Sequence, residues 1–126
     1  MKSTKEFFQN KKILIYGYGK TGKSAFNFLK TKNNLKVFDD NLPLTNLPYN
    51  KKFTRGSDRV RNFDYVLLSP GINYRKCLLS NEIIKNKEKI ISDLDVFYKS
   101  FPENFFITIT GTNGKSTTCK LLYQVL

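Results

Sequence analysis

The sequence predicts an α/β protein: a Rossmann-like parallel-sheet domain over residues 1–92, followed from 93 to 126 by the truncated start of a P-loop ATPase-like α/β domain. Three observations predict it. Two continuous apolar runs, Lys12–Tyr16 and Tyr65–Leu68, end in glycine-containing turns, as buried parallel strands do. A full Gly-x-Gly-x-x-Gly, Gly17 to Gly22, joins the first run to a segment with helical spacing. A second glycine-bounded turn, Gly111-Thr112-Asn113-Gly114, is followed by Lys115-Ser116-Thr117 and another helical spacing.

In order, residues 2–10 predict a short polar helix or arm, docked by Phe7 and Phe8. Lys12–Tyr16 is the first strand. In the helix after the glycine turn, Ala25, Phe28 and Leu29 fall at i, i+3 and i+4, and Asn33-Asn34 end it. Leu35–Phe38 is the second strand, closed by Asp39 and Asp40. Residues 41–62 hold Pro43, Pro48 and Gly56 and predict loops, with a short strand near Lys52–Thr54. Tyr65–Leu68 runs into the rigid turn Ser69-Pro70-Gly71-Ile72. Residues 78–87 predict a helix with Leu78, Leu79, Ile83 and Ile84 inward, then a short strand at Lys89–Ser92. Asp93–Tyr98 begins a further helix, its leading carboxylate suited to the helix dipole. Past Pro102, Phe105–Ile109 predicts the strand of the second unit, and Cys119, Leu122 and Leu126 mark one face of its helix.

Both turns have the residue types of phosphate cradles. Glycines let backbone N–H groups face an anion closely, and a helix start adds unpaired donors and partial positive charge. At the first turn, Gly17, Gly19, Lys20, Thr21 and Gly22 are candidates for a nucleotide diphosphate, and Asp39 and Asp40 for its ribose or base. At the second, Gly111 to Thr117 are candidates for a triphosphate. Lys115 would reach the β- and γ-phosphates and the Ser116 hydroxyl would ligate Mg²⁺. Ile109 stands where the general P-loop pattern has its first glycine, so the loop is a shortened form. For each turn the alternative is an ordinary strand–helix connection without a ligand.

Composition narrows the classes. The 126 residues suffice for one ordinary core. The formal charge of +12 comes from scattered lysines rather than a basic run, which speaks against nucleic acid as partner. The chain has no His, which excludes His-based catalysis and His metal ligands within it. Its two cysteines lie in no metal-ligand spacing. No signal peptide or membrane-length apolar run is present, so a cytoplasmic protein without membrane attachment is expected.

Gly17-Tyr-Gly-Lys-Thr-Gly-Lys-Ser24, Ser69-Pro-Gly-Ile72 and Gly111-Thr-Asn-Gly-Lys-Ser-Thr117, in this order, resemble the N-terminal part of the Mur ligases of peptidoglycan synthesis. The shortened phosphate loop is that family's own form, and the first and middle motifs favour its D-glutamate-adding branch. The resemblance covers essentially this whole chain but only the first quarter to third of a typical member. It implies that the first domain binds a UDP-sugar substrate, with Lys20 and Thr21 at the diphosphate and uridine. Asp39, Asp40 and Asn41 would lie by uracil and ribose, and Gly71 behind the nucleotide. Asn41 stands where one member of that family has a basic residue. The implied reaction joins D-glutamate to UDP-N-acetylmuramoyl-L-alanine through an acyl phosphate made with ATP and Mg²⁺, with Lys115 as the catalytic cation at the γ-phosphate. A complete member is expected to be a monomer. This chain, lacking further metal ligands and a D-glutamate domain, is expected to be an inactive fragment with an associating apolar edge. Two readings remain beside this one: a NAD(P)-dependent oxidoreductase or dinucleotide sensor, suggested by the first turn alone, and a non-catalytic UDP-sugar-binding module.

Overall fold

The computed structural model describes residues 7–48 and 50–126. The arm expected at residues 2–6 lies outside them; residues 7–10 form bends rather than helix, with Phe8 buried as expected and Phe7 half exposed. Four parallel strands, β1 (Lys12–Tyr16), β2 (Asn34–Phe38), β3 (Tyr65–Leu68) and β4 (Ile90–Ile91), form one sheet in the order β2-β1-β3-β4. Ile13 pairs with Leu35 on one side and Tyr65 on the other, and Tyr16 with Phe38 and Leu68. The short strand expected near Lys52 is reduced to a single parallel bridge from Lys52 to Val37 on the outer edge of β2.

The helices are α1 (Lys20–Leu29), α2 (Ser80–Lys85), α3 (Asp93–Ser100) and α4 (Lys115–Val125). Alternate residues of each strand face opposite sides, which explains two cores. Ile13, Ile15, Val37 and Leu67 pack on one face with Ala25 and Leu29 of α1 and Val96 of α3. Leu14, Tyr16, Phe38 and Val66 pack on the other with Phe53, Val60, Leu79 and Ile83. Helices on both faces of a parallel sheet make a doubly wound, Rossmann-like fold. Because Val96 is buried in the first core, packing continues past residue 92 into α3. Ser92 caps α3 in a reciprocal box with Asp95: Asp95 N–H donates to the Ser92 hydroxyl at 3.1 Å and Ser92 N–H to the Asp95 carboxylate at 2.7 Å.

Several expectations require correction. α1 stops at Leu29, short of Asn33, and Phe28 is 51% exposed because Ala25 and Leu29 already define the buried stripe. α2 has only six residues; Leu79 and Ile83, four apart, take its inner side, leaving Leu78 54% and Ile84 47% exposed. Phe105–Ile109 forms no strand. A strand is made by its ladder, and among the described residues none pairs with this segment. Phe106 anchors it, its ring 4.3 Å from Tyr98 and 5.4 Å from Phe97 by centroids, while Phe105 is 91% exposed.

Candidate nucleotide sites at two helix starts

The chain leaves β1 for β2 on one side and returns to β3 on the other, so the C-terminal ends of β1 and β3 form a topological switch point, where ligands of open α/β sheets bind. The first glycine turn lies there. Gly17 has φ +96°, and a Cβ on it would meet the Ser69 Cβ and Oγ at 2.7 Å. A Cβ on Gly22 would stand 1.9 Å from the Gly17 carbonyl oxygen, so this glycine lets α1 press against the turn. Gly19 caps α1, and a Cβ there would meet nothing within 4 Å. No packing demands glycine at that position, which leaves its backbone open to a ligand. The first bond of α1 runs from Lys23 N–H to Gly19 O at 2.9 Å; the amides of Lys20, Thr21 and Gly22 precede it. No acid stands in the first turn of α1 to oppose an anion, and Lys20 is exposed beside it.

The two aspartates do local work first. One Asp39 oxygen accepts from Tyr18 N–H at 2.7 Å; the other accepts from Asn41 and Leu42 N–H at 2.9 and 3.1 Å. Asp39 therefore ties the glycine turn to the end of β2. Asp40 accepts from the Tyr16 hydroxyl with one oxygen and from Leu78 N–H at 3.2 Å with the other. Asn41 and Gly71 are exposed at the rim, and Gly71 meets nothing within 4 Å of an added Cβ. Beside the turn a groove of about 400 Å³ opens between α1 and α3, lined by Lys20, Thr21, Ser24, Asp93, Leu94 and Phe97 among others.

Sequence reasoning singled out Ser69 and Asp40 but missed Tyr16 and the contacts that hold this site in shape. The Ser69 hydroxyl donates to the Gly17 carbonyl at 3.1 Å, and Ser69 N–H to Tyr16 O at 3.0 Å, so the Ser-Pro-Gly turn clasps the glycine turn. Tyr16 is fully buried, and burial above all, with the Asp40 bond and Cys77 adding to it, pushes its hydroxyl well above the ordinary range. The available signal was a tyrosine closing an apolar strand, whose hydroxyl must find a partner when buried.

The second turn is placed differently. Gly114 caps α4 with φ +77° and ψ 3°, the left-handed region glycine tolerates, and Gly111 has φ +153°. The first bond of α4 joins Thr118 N–H to Gly114 O at 2.9 Å, so the amides of Lys115, Ser116 and Thr117 precede it. The structure thus brings Gly111, Thr112, Asn113, Gly114, Lys115, Ser116 and Thr117 together at one helix start, all exposed. Among the described residues no cluster of three acids, cysteines or histidines supplies a metal site. The Ser116 hydroxyl on the first helical turn is a hard oxygen donor of the type Mg²⁺ takes alongside phosphate oxygens.

Known proteins match this chain through both turns. It is 39% identical to a UDP-N-acetylmuramoylalanine–D-glutamate ligase of Rickettsia prowazekii over 94% of its own length and 28% of that protein's. Proteins of the same name from Francisella philomiragia and Bacillus cytotoxicus match at 37% and 35% identity, over 95% and 94% of the chain. The chain belongs to the Mur ligase family. It spans little more than a quarter of these Mur ligases' length. No family model matches the sequence. Among the described residues, no helix of this Mur ligase chain is long and apolar enough to cross a membrane.

Proposed function

We propose that this chain carries the UDP-substrate-binding region and the ATP phosphate loop of a peptidoglycan-precursor ligase that adds D-glutamate to UDP-N-acetylmuramoyl-L-alanine. The observation that carries this reading is the similarity to ligases of that name along a stretch containing both helix starts. The sheet unit, with α3 packed on it, is the UDP domain, and the segment around α4 begins the ATP domain.

Each turn has a distinct task. The amides of Lys20, Thr21 and Gly22, with the open backbone at Gly19, hold the diphosphate at the start of α1. Asp39 and Asn41 stand at the end of β2, within the reach of ribose and uracil, and Gly71 gives the nucleotide a flat backing. The amides at the start of α4 take the ATP phosphates, and the Lys115 ammonium offsets charge on the γ-phosphoryl group as it transfers to the alanyl carboxylate, its bond to the β-phosphate oxygen breaking and ADP leaving. Ser116 would hold Mg²⁺, which supplies further charge neutralisation at the phosphates. The D-glutamate amine then attacks the acyl phosphate carbonyl, and phosphate leaves.

The dinucleotide alternative rests on the first turn alone and leaves the second glycine turn, Gly111 to Gly114, without a task. Calorimetric titration of the chain with UDP, UDP-N-acetylmuramoyl-L-alanine and NAD⁺ tests the choice. Saturable binding of both uridine ligands is expected. Saturable NAD⁺ binding with no response to either would overturn the ligase reading.

A further inference from the structure

We propose that Tyr16 and Asp40 form a clamp that positions the arm from Ser69 to Leu79 as a wall of the nucleotide site, acting on ligand affinity without touching the ligand. This role rests on the uridine-nucleotide reading above.

The arm crosses the C-terminal end of the sheet between β3 and α2 and contains Gly71. It is stitched internally: Ile72 N–H donates to Ser69 O at 3.0 Å, Lys76 and Cys77 N–H to Asn73 O at 2.9 and 3.0 Å, and Arg75 N–H to the Asn73 side chain at 3.1 Å. Its near end is fixed by the Ser69 hydroxyl on Gly17 O. Its far end is fixed across the sheet. Asp40, at the end of β2, accepts from Leu78 N–H, and the Tyr16 hydroxyl, which donates to Asp40, accepts from Leu79 N–H at 3.4 Å. β2 and β3 are not neighbours, since β1 lies between them. The clamp therefore joins the two sides of the switch point over the last residue of β1. The Tyr16 ring lies wholly inside the second core, edge-on to Phe38 at 5.3 Å, and has no surface to offer a ligand. A tyrosine hydroxyl is protonated at physiological pH, and burial raises this one further, so it stays a donor to Asp40.

A carboxylate that served only as a ligand contact would need neither a buried tyrosine nor a distant amide. Here both oxygens are spent on orientation, and loss of either partner loosens the far end of the arm, which keeps the burial of Cys77 and Leu79, while Ser69 still holds the near end.

The test is UDP titration of the whole chain as wild type, Tyr16→Phe, Asp40→Ala, Asp40→Asn and the Tyr16→Phe/Asp40→Ala pair, with thermal midpoints and Leu78 and Leu79 amide exchange followed in parallel. Each of Tyr16→Phe and Asp40→Ala is expected to weaken UDP binding about tenfold, the scale of one hydrogen bond to a charged group. The double variant should be no weaker than the singles, because both break one clamp. Asp40→Asn keeps an acceptor for Tyr16 and should recover part of the loss. Tyr16→Phe with wild-type affinity, or a double variant about a hundredfold weaker, would overturn the clamp. Should Tyr16→Phe fail to fold, equal losses for Asp40→Asn and Asp40→Ala would overturn it. A wild-type chain that ignores UDP defeats the nucleotide reading and the clamp together; a wild type that binds while Tyr16→Phe binds equally defeats the clamp alone.

Discussion

The turns at Gly17–Gly22 and Gly111–Gly114 have the same local design, yet only the first is locked. Each delivers the chain into a helix whose leading amides precede the first intrahelical bond. The first is seated on a four-stranded ladder, clasped by Ser69 and pressed by Gly22, and α1 buries Ala25 and Leu29. The second follows a segment without ladder bonds, and α4 buries no residue. Glycines and a helix start make an anion site available; neighbours on both sides make it rigid.

The largest expected effect is on backbone exchange. Amides of β1 and β3 open only with the sheet, whereas those of 105–118 need little more than fraying of α4. In this chain the two sets should differ in protection by a factor of about 10³ or more, given domain stabilities of roughly 5 kcal/mol upward. Exchange measured by NMR or mass spectrometry checks this. Equal protection of α4 and β1 would erase the contrast.

Next comes chemistry. In a full-length ligase containing this chain, as proposed above, Lys115→Ala should lower turnover about 10²–10³-fold, the cost of removing one charge-stabilising donor from a transferring group. The same change should leave UDP affinity and the thermal midpoint of the present chain where they were, since the Lys115 side chain is exposed. A parallel fall in UDP affinity would mean that the two turns are not independent.

Glycine replacements then compare the turns directly. Gly22→Ala sets a methyl 1.9 Å from a backbone oxygen that β1 and Ser69 hold in place. We expect a loss of about 3 kcal/mol, at the upper end for overpacking and well above the roughly 1 kcal/mol that alanine gains in a helix. Gly114→Ala meets no atom within 4 Å and bears only the left-handed backbone cost, about 1–2 kcal/mol, confined to α4. Thermal unfolding should therefore register the first and scarcely the second.

The contrast also explains what the sequence disclosed. The central strands were legible because a strand buried on both faces must be apolar throughout, as Ile13 to Tyr16 and Val66 to Leu67 are. The glycine turns were legible because φ at Gly17 and close approach at Gly22 admit no other residue. Phe105–Ile109 has the same composition, but composition states what a strand would accept, not whether a partner lies beside it. Phe28, Leu78 and Ile84 looked inward because helical spacing says nothing of how short a helix is or how narrow its buried stripe. At the two helix starts, the sequence could name candidate residues one by one. The Ser69 clasp and the Tyr16–Asp40–Leu78 clamp were not legible, since they join positions that only the folded sheet brings together.

The smallest effect is pH dependence, and it too should belong to the sheet-bound region. Burial, reinforced by Asp40 and Cys77, raises the Tyr16 hydroxyl in the folded state, whereas an unfolded tyrosine ionises near 10. Above about pH 10 the unfolded chain thus binds fewer protons than the folded one, and stability falls as pH rises. At the acid end the signs reverse. The Ser92 amide and hydroxyl lower Asp95. At Asp58, partial burial pushes the carboxyl up, but the Lys36 ammonium at 2.6 Å and the Thr54 amide outweigh it and hold the group below its usual value. Their contributions are complete above about pH 4, the unfolded value, and drain away as pH falls below it through the lower folded values. Tyr16→Phe should flatten the alkaline limb of a denaturation-versus-pH curve, and Asp95→Asn should soften the acid one. The helical signal of residues 115–125 should pass through both limbs with less change than the sheet; if it instead followed the Tyr16 limb, α4 would be coupled to the core through contacts stronger than the rings around Phe106.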